Sequence, residues 1–478
     1  MARTLPIDDP DLAVSASGVP AVPGYGLKQQ VLSPLETLAQ SISTIAPTTS
    51  PTMTIPLVFA LAGSGTWLVY LLATAAVLLV ALCISRFARH SASPGSLYIY
   101  ATSSLPPALG SVAAWSLLLA YIATGSSVVG GFINYANVLL HDMLGRSASP
   151  VLLSLVCVAV CIWVAYRDVK ISARLMLWIE AVSVLLIGIV LVILLLKHGL
   201  HLDPQQWKLK GVSAAGVRLG VVLALFSYVG HESATTLGSE AKDPLRTIPR
   251  AVIQSALLSG VFFILCAYTE VLGFHAVGQN LNESSAPLRV LATEAGVRLL
   301  GPMIDVGALV SMFACTLACI TAGARVLLLM ARNGLIHKSL GATHKQNETP
   351  AVAVMFVGAL TFVPAAVLGA RGTSGTDIYG WMGSLATYGF ITTYGLVAVA
   401  LPFYLRRIGK LTAAMALLAT AATTAMVLAL AGSLYPVPPA PYNWLPYLYL
   451  AYLAAGMVWF AASGSMRRAV GNPDEECA

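Results

Sequence analysis

The chain has 478 residues with a mean hydropathy of +0.80, and 10% of them are charged, against about 25% in a typical soluble protein. This composition excludes a soluble globular enzyme and indicates a protein that crosses the membrane many times. The formal net charge of +7 would suit a nucleic-acid partner. The basic residues, however, crowd into short loops between apolar runs, so membrane topology explains them better and no nucleic-acid partner is expected.

The ends of the chain differ in composition from the rest. Residues 1–31 contain several Pro and Gly and three Asp, and lack the apolar core of a signal peptide, which predicts a disordered cytoplasmic tail. Residues 32–467 form one membrane domain, and 468–478 form a second cytoplasmic tail.

The first two spans lie in a stretch without any charged residue or His, 37–85, which is long enough for two spans of about 20 residues each. Gly63–Gly65 separates them. The first span contains two prolines and four hydroxyl residues between positions 46 and 52. Because proline removes a backbone donor, this cluster predicts an interrupted helix, with a simple kink as the alternative.

Ten more spans follow, so that twelve are predicted in total. Basic residues concentrate in the loops of one side of the membrane, and that side is expected to be cytoplasmic. Both termini lie on it, and the expected location is the plasma (inner) membrane. Apart from the sixth, discussed next, the spans are 109–140, 150–166, 172–196, 251–274, 300–330, 351–370, 378–405 and two within 411–466 that are separated at 432–441.

The sixth span is interrupted at membrane depth. The apolar run Gly220–Val229 meets Gly230, His231 and Glu232, and a turn rich in Ser and Thr follows up to Gly238. Ionisable groups and broken backbone are costly there unless they line a cavity. Half-helix ends offer free N–H and C=O groups to a ligand, so this stretch is the predicted binding site.

Spans one and six are the two with breaker residues beside hydroxyl clusters, and they lie five spans apart. Because five is an odd number, the second unit is inverted relative to the first. The sequence therefore predicts a 5+5 inverted repeat, with units 32–200 and 212–407 and the last two helices, 411–466, outside it.

Three motifs carry a family resemblance. The segment FSYVGHESA…SEAKDPLRTIPRA, which begins at Phe226, resembles the sixth-helix signature of the amino acid–polyamine–organocation (APC) permeases. Ala322–Val352 is similar to their eighth helix and the loop after it, and Asp168–Arg174 to the start of their fifth helix. The resemblance implies an all-α LeuT-like fold of twelve transmembrane helices, with helices 1 and 6 discontinuous. It also implies secondary transport of amino acids, or of polyamines and other amines, by alternating access.

The resemblance also implies which residues bind the substrate. Backbone groups of broken helix one would hold a carboxylate, those of helix six an amino group, and an aromatic ring, Phe226, would close over both. The glycine-rich motif expected in helix one is replaced here by Thr49-Ser50-Pro51, where hydroxyls would have to substitute for N–H donors. We expect substrate contacts from Thr48, Thr49, Ser50, Phe226, Ser227, Tyr228 and Gly230, with His231 as a polar wall.

Two carboxyl groups at membrane depth, Glu180 and Glu232, have no nearby Lys or Arg in sequence, and burial disfavours the charged form of a carboxyl. We expect one of them to carry a coupling proton; the alternative is a structural carboxyl. In some relatives a helix-five lysine near Ser183 takes the place of a sodium ion, and Glu180 would serve instead here. If sodium is the coupling ion, Ser183 with Thr321 is the best available pair.

Two other classes of membrane protein, an enzyme and a sensor, are alternatives to a transporter. A membrane-embedded enzyme would use His231 and Glu232 as an acid–base pair, but the sequence offers it neither a nucleophile nor a metal cluster. A non-transporting sensor would keep the fold and lose the coupling. The expectation is a carrier of a small molecule, not an enzyme, with no metal and no cofactor besides H⁺ or Na⁺. Glu270 and Asp305 are expected near the outer ends of their spans, where charges cost little.

Overall fold

The structure of the protein, a computed structural model, describes residues 26–167, 169–198, 203–344, 346–435, 437–438 and 440–462. Most of both predicted tails, 1–25 and 463–478, lies outside the described residues, as does position 168 of the fifth-helix motif. Residues 26–31, also part of the predicted N-terminal tail, are described: Leu27 is buried, and the N–H of Gln30 donates to the carbonyl of Ser239 at 3.1 Å.

The described chain is helical and forms sixteen α-helices. Their bounds are α1 Pro34–Ile45, α2 Ile55–Ala62, α3 Thr66–Ala88, α4 Ser96–Thr102, α5 Pro107–Leu144, α6 Pro150–Arg167, α7 Val169–Lys197, α8 Pro204–Trp207, α9 Ala214–Phe226, α10 Pro244–Val277, α11 Pro287–Glu294, α12 Leu300–Arg332, α13 Ala351–Ala370, α14 Gly375–Arg407, α15 Ala413–Leu434 and α16 Leu445–Ala462.

Ten helical segments of the described chain are long and apolar enough to cross a membrane. The first is a continuous stretch of 55 residues, Pro34–Ala88, which includes α1, α2 and α3. The bounds of α13 agree with the predicted span, α16 lies within the range predicted for the last span, and the helices α5, α6, α7, α10, α12 and α14 extend one to seven residues beyond theirs. Helix α5 shows why: it starts with a proline and stops at Gly145, whose φ is +65°, and both are typical helix-end residues. The short helices α4, α8 and α11 were not predicted.

The first span is interrupted as predicted. Helix α1 begins with a reciprocal Ser33–Glu36 capping box and ends at Ala46, which has φ 49° and ψ 71°. A left-handed conformation is uncommon for a residue with a side chain. After Pro47 and Thr48 the chain re-forms as one wide π-helical turn, Ser50–Thr54, before α2 begins. This interruption, residues 46–54, is called the first break below.

The sixth span is interrupted as well. Helix α9 ends at Phe226, turns occupy 227–232, and a short 3₁₀-helix, Ser233–Leu237, precedes α10. Gly230 has φ +97°, and an added Cβ would collide with Thr44 of α1. The position therefore requires glycine both for its backbone conformation and for the contact with α1. Residues 227–243 are called the second break below.

The helices pack so that both breaks lie inside the bundle. Helix α5 packs between α14 and α12, α10 packs along α3, and α1 lies against α7, α10 and α12. Helices α15 and α16 lie at the periphery and expose large apolar residues such as Leu428 and Leu448. Just before α1, Leu32 pairs with Ala241 in a parallel bridge, which ties the start of the first span to the end of the second break.

Candidate functional site

Helix α1, which leads into the first break, is fastened to the second break by hydroxyl groups. The Ser41 hydroxyl donates to the carbonyl of His231 at 2.8 Å and accepts from the N–H of Ala234 at 3.0 Å. The hydroxyls of Thr44 and Ser233 are 2.8 Å apart. Backbone groups that a helix break leaves without helical partners are thereby satisfied by side chains of the facing segment. This contact brings the two predicted halves of the binding site together.

The predicted residues of the first break, Thr48, Thr49 and Ser50, are all buried. The Thr48 hydroxyl lies 3.4 Å from Oε2 of Glu180. Within the described part of the chain, the Thr49 hydroxyl has no hydrogen-bond partner. The Ser50 carbonyl accepts from the N–H of Ile55 and closes the π-helical turn. The Thr49 hydroxyl is therefore the predicted donor of this break that stays free for a ligand.

Phe226 closes one side of the second break. Its ring lies edge-on to Tyr379 with ring centroids 5.6 Å apart, and the Tyr379 hydroxyl is 2.7 Å from that of Thr54. A Cβ at Gly383 would come within 2.6 Å of the Phe226 ring, so only glycine lets α14 approach this closely. Phe226 thus contacts α14 directly and is linked to the first break through Tyr379.

The neighbouring residues Ser227 and Tyr228 face α3. The Ser227 hydroxyl is 3.0 Å from that of Tyr70, and the Tyr228 hydroxyl is 2.6 Å from that of Thr74. His231 is fully buried, and its Nδ1 lies 3.1 Å from the carbonyl of Tyr228. A carbonyl only accepts, so Nδ1 is the donor of this ring. Among the described residues Nε2 has no partner, which leaves one imidazole nitrogen available to a ligand.

Glu232 is fully buried and has three donors. The hydroxyls of Tyr121 and Tyr394 donate to its two oxygens at 2.8 and 2.5 Å, and the N–H of Gly230 donates at 3.2 Å. Its Oε2 also lies 3.5 Å from Nδ1 of His231. The carboxyl therefore links α5, α14 and the second break. Sequence reasoning found Glu232 but missed both tyrosines, because no local pattern points from those helices to it.

Glu180 of α7 lies between the first break and α12. Its Oε1 accepts from the hydroxyl of Ser311 at 2.5 Å, and its Oε2 faces Thr48. One turn further along α12, the Cys315 thiol donates to the carbonyl of Thr44 at 3.1 Å. The broken end of α1 is thus contacted by a carboxyl, a hydroxyl and a thiol. Ser311 and Cys315 carried no signal that sequence reasoning used.

The predicted sodium pair, Ser183 and Thr321, is wrong. Ser183 packs against Gly307 of α12, where an added Cβ would be 2.7 Å from the serine hydroxyl. Thr321 follows Gly307 by fourteen residues on the same helix, which is about 21 Å of helix rise. One ion cannot contact both side chains. Ser183 also borders an apolar groove between α7 and α12, together with Trp178 and Val306.

Glu270 and Asp305 lie near the ends of α10 and α12, as expected, but both are fully buried, so the expectation that charges cost little there is wrong. Asp305 is paired with Arg289 of α11, which also contacts Asp142 of α5.

A further buried ion pair was not predicted from the sequence: Arg325 donates to both oxygens of Glu240, each at 2.7 Å.

The site is closed in this conformation, since all the predicted substrate-binding residues are buried. A cavity of about 680 Å³ lies elsewhere, between α5, α11 and the start of α14, and is lined by residues such as Asn134 and Arg289. None of the predicted site residues borders it. Access to the two breaks therefore requires the helices around them to move.

Comparison with known proteins identifies the family. The model of the family described as "Amino acid permease" matches residues 37–466. The chain belongs to this family. The permease is similar to a branched-chain amino acid permease, BcaP, of Lactococcus lactis, with 27% identity over 404 residues that cover 78% of this chain and 86% of the relative. It is also similar to the low-affinity putrescine importer PlaP of Escherichia coli, with 27% identity over 62% of this chain and 65% of the relative.

A solved structure supports the fold. The crystal structure of MhsT in complex with L-phenylalanine superposes with a TM-score of 0.54 over 85% of the permease and 99% of that chain, at 16% sequence identity. The permease therefore has the LeuT-like fold of the APC superfamily, as its motifs indicated. It is a transporter of amino acids or amines and not an enzyme.

Proposed function

We propose that this permease is a secondary carrier of amino acids that works by alternating access, with polyamines or other amines as the second candidate. One observation carries the proposal: two broken helices meet inside the bundle, closed from solvent, with the buried Phe226 ring at the end of α9 packed against α14. A closed site between movable segments suits a carrier that binds on one side and releases on the other. Similarity to BcaP, a branched-chain amino acid permease, supports amino acids as substrates, and similarity to PlaP, a putrescine importer, supports amines.

The fold proposal is twelve spans in two inverted units of five, with α15 and α16 outside the repeat. The apolar stretch Pro34–Ala88 counts as two spans, divided at Gly63, where φ is +50°. Helix α9 and the second break together form the sixth span. The loops rich in basic residues would then be cytoplasmic, with both termini inside the plasma membrane.

The coupling ion is proposed to be a proton carried by Glu180. Its partners at the first break and α12 are hydroxyls, Thr48 and Ser311, and a hydroxyl both donates and accepts. The site can therefore satisfy the carboxyl with or without its proton. Glu232 stays the second candidate, but it faces a backbone N–H, which only donates, and this favours a permanent carboxylate.

Counterflow in liposomes tests the proposal directly. Purified permease, shown to be folded, is reconstituted into liposomes that contain an unlabelled amino acid or amine. Uptake of the same compound, labelled and added outside, is then followed. A carrier exchanges at least one compound of a broad panel without any ion gradient. Absence of exchange across the panel would refute transport. Uptake driven by sodium alone, with no response to a pH gradient, would refute the proton.

A further inference from the structure

Glu270 of α10 is a buried carboxyl that the proposed cycle does not use. The side chain is fully buried, and neither of its oxygens has a hydrogen-bond partner among the described residues. An ionised carboxylate without donor or counter-ion is strongly disfavoured in a protein interior. The negative charge of Glu270 must therefore be neutralised, either by a bound proton or by a positively charged ligand.

The position of Glu270 on α10 relates it to the substrate site. Ser255, Phe263 and Glu270 follow each other at helical spacing on one buried face of α10. The Ser255 hydroxyl contacts the carbonyl of His231 at 3.1 Å, and the Phe263 ring contacts the Tyr228 ring at 5.2 Å. Glu270 lies two turns beyond Phe263, about 10 Å along the helix. The carboxyl thus extends the row of contacts that begins at the second break.

Two tyrosines relate this end of the row to the breaks. The hydroxyls of Tyr70 on α3 and Tyr135 on α5 lie within electrostatic range of Glu270. Tyr70 also contacts Phe263, with ring centroids 6.0 Å apart, and its hydroxyl reaches Ser227. Tyr135 donates to the carbonyl of Thr52 in the first break at 3.4 Å. Tyr70 thus contacts both the row and the second break, and Tyr135 contacts the first break.

We infer that Glu270 receives a positively charged amino group of the substrate, remote from the group held between the two breaks. This inference rests on the proposed function and narrows its substrate class to compounds with such a second group, diamines and basic amino acids. An alkylammonium ion supplies both the charge that the carboxylate lacks and the donors that its oxygens lack.

Binding to the purified, full-length permease tests the inference with three probes: butane-1,4-diamine, butylamine and L-leucine. The diamine binds at least about tenfold more tightly than butylamine to the unmodified protein, since only the diamine reaches both places. Glu270→Gln lowers diamine affinity by about 100-fold or more, as for a buried charged pair that loses one partner. Its affinities for butylamine and L-leucine stay those of the unmodified protein. Glu283→Gln, an exposed carboxyl on the loop between α10 and α11, leaves all three affinities unchanged.

The outcomes separate this inference from the proposed function. Equal affinity for diamine and monoamine in the unmodified protein would overturn the inference, and this comparison needs no variant to fold. Unchanged diamine affinity in folded Glu270→Gln would overturn it too. A variant that still binds diamine but no longer accumulates substrate against a gradient would assign Glu270 to the coupling proton and overturn the inference. If no amino acid or amine binds or exchanges in folded, unmodified protein, the proposed function itself fails.

Discussion

The two breaks hold their carboxyl groups in opposite ways. At the second break, Glu232 is fixed by two tyrosine hydroxyls and a backbone N–H that come from three different segments. At the first break, Glu180 contacts two hydroxyls, one of them at the long distance of 3.4 Å. Hydrogen bonds between buried partners hold segments together, and networks of them do so more strongly. The second break is therefore the firmly held part of the site and the first break the adjustable part.

This difference supports the separate tasks proposed for two residues that look alike in sequence. A carboxyl that must take up and release a proton needs partners that tolerate both forms, and hydroxyls do. A carboxyl that must hold three segments in register needs donors that do not change. The following predictions test that division, from the largest expected effect to the smallest.

Glu180→Gln should abolish accumulation driven by a pH gradient and leave counterflow intact. Glutamine keeps the size of the side chain and can still bond to both hydroxyls, but it cannot exchange a proton at neutral pH. Accumulation and counterflow are measured in the same proteoliposome preparation, with Glu283→Gln as the control. Concentrative uptake by the folded Glu180→Gln permease would remove this carboxyl from coupling.

Phe226→Ala should weaken substrate retention about 10- to 150-fold, because a ring that closes over a ligand contributes about 1.5–3 kcal/mol of apolar burial. The variant must be shown to be folded, because the Phe226 ring is buried and its truncation leaves a cavity. Substrate affinity and exchange rate are measured. Phe403→Ala is the matched control, because that ring is 58% exposed on α14. Equal affinities in both variants would show that Phe226 is not a lid.

Glu232→Gln should lower the stability of the protein and reduce counterflow and accumulation together. A neutral amide oxygen accepts more weakly than a carboxylate from the hydroxyl of Tyr394 and the N–H of Gly230, since a hydrogen bond to a charged group contributes about 1.5–3 kcal/mol and a neutral one about 0.5–1.5 kcal/mol. Thermal unfolding is measured beside both transport modes. If counterflow survives unchanged while accumulation is lost, Glu232 carries the proton and the division of tasks is reversed.

Ser311→Ala should have the smallest effect. It removes one hydroxyl partner of Glu180, and such a bond contributes about 0.5–1.5 kcal/mol net. We expect the pH midpoint of accumulation to move while the counterflow rate stays the same. Ser154→Ala, on α6, removes a hydroxyl that bonds to its own helix and serves as the control. An identical pH profile in both variants would contradict a role of Ser311 at the coupling site.

The two breaks themselves could be predicted from the sequence. Proline within an apolar span and Gly230 before an ionisable pair are local signals with a direct backbone consequence, and α1 and α9 end within a few residues of them. The structure adds what faces each break. Tyr121 and Tyr394 are separated by more than 100 residues from Glu232 in the chain, and nothing in their own helices distinguishes them from packing residues.

The errors have the same origin. Ser183 and Thr321 are both hydroxyl residues in plausible spans, but only the register of α7 against α12 shows that they are far apart. Glu270 was placed by its distance from a helix end, whereas its burial depends on α3 packing along α10. Position along a span predicts membrane depth; it does not predict which side of the helix faces protein.

The pairing of Leu32 with Ala241 makes the two broken spans mechanically dependent on each other. Three backbone hydrogen bonds, from Gln30, Leu32 and Lys242, join the strand-like segment before α1 to the segment before α10. Together they contribute roughly 1.5–4.5 kcal/mol net. While this connection holds, a tilt of α1 is transmitted to the second break as a pull along the backbone. The segment therefore joins the two broken spans, and α1 can move independently of the second break only if these hydrogen bonds break.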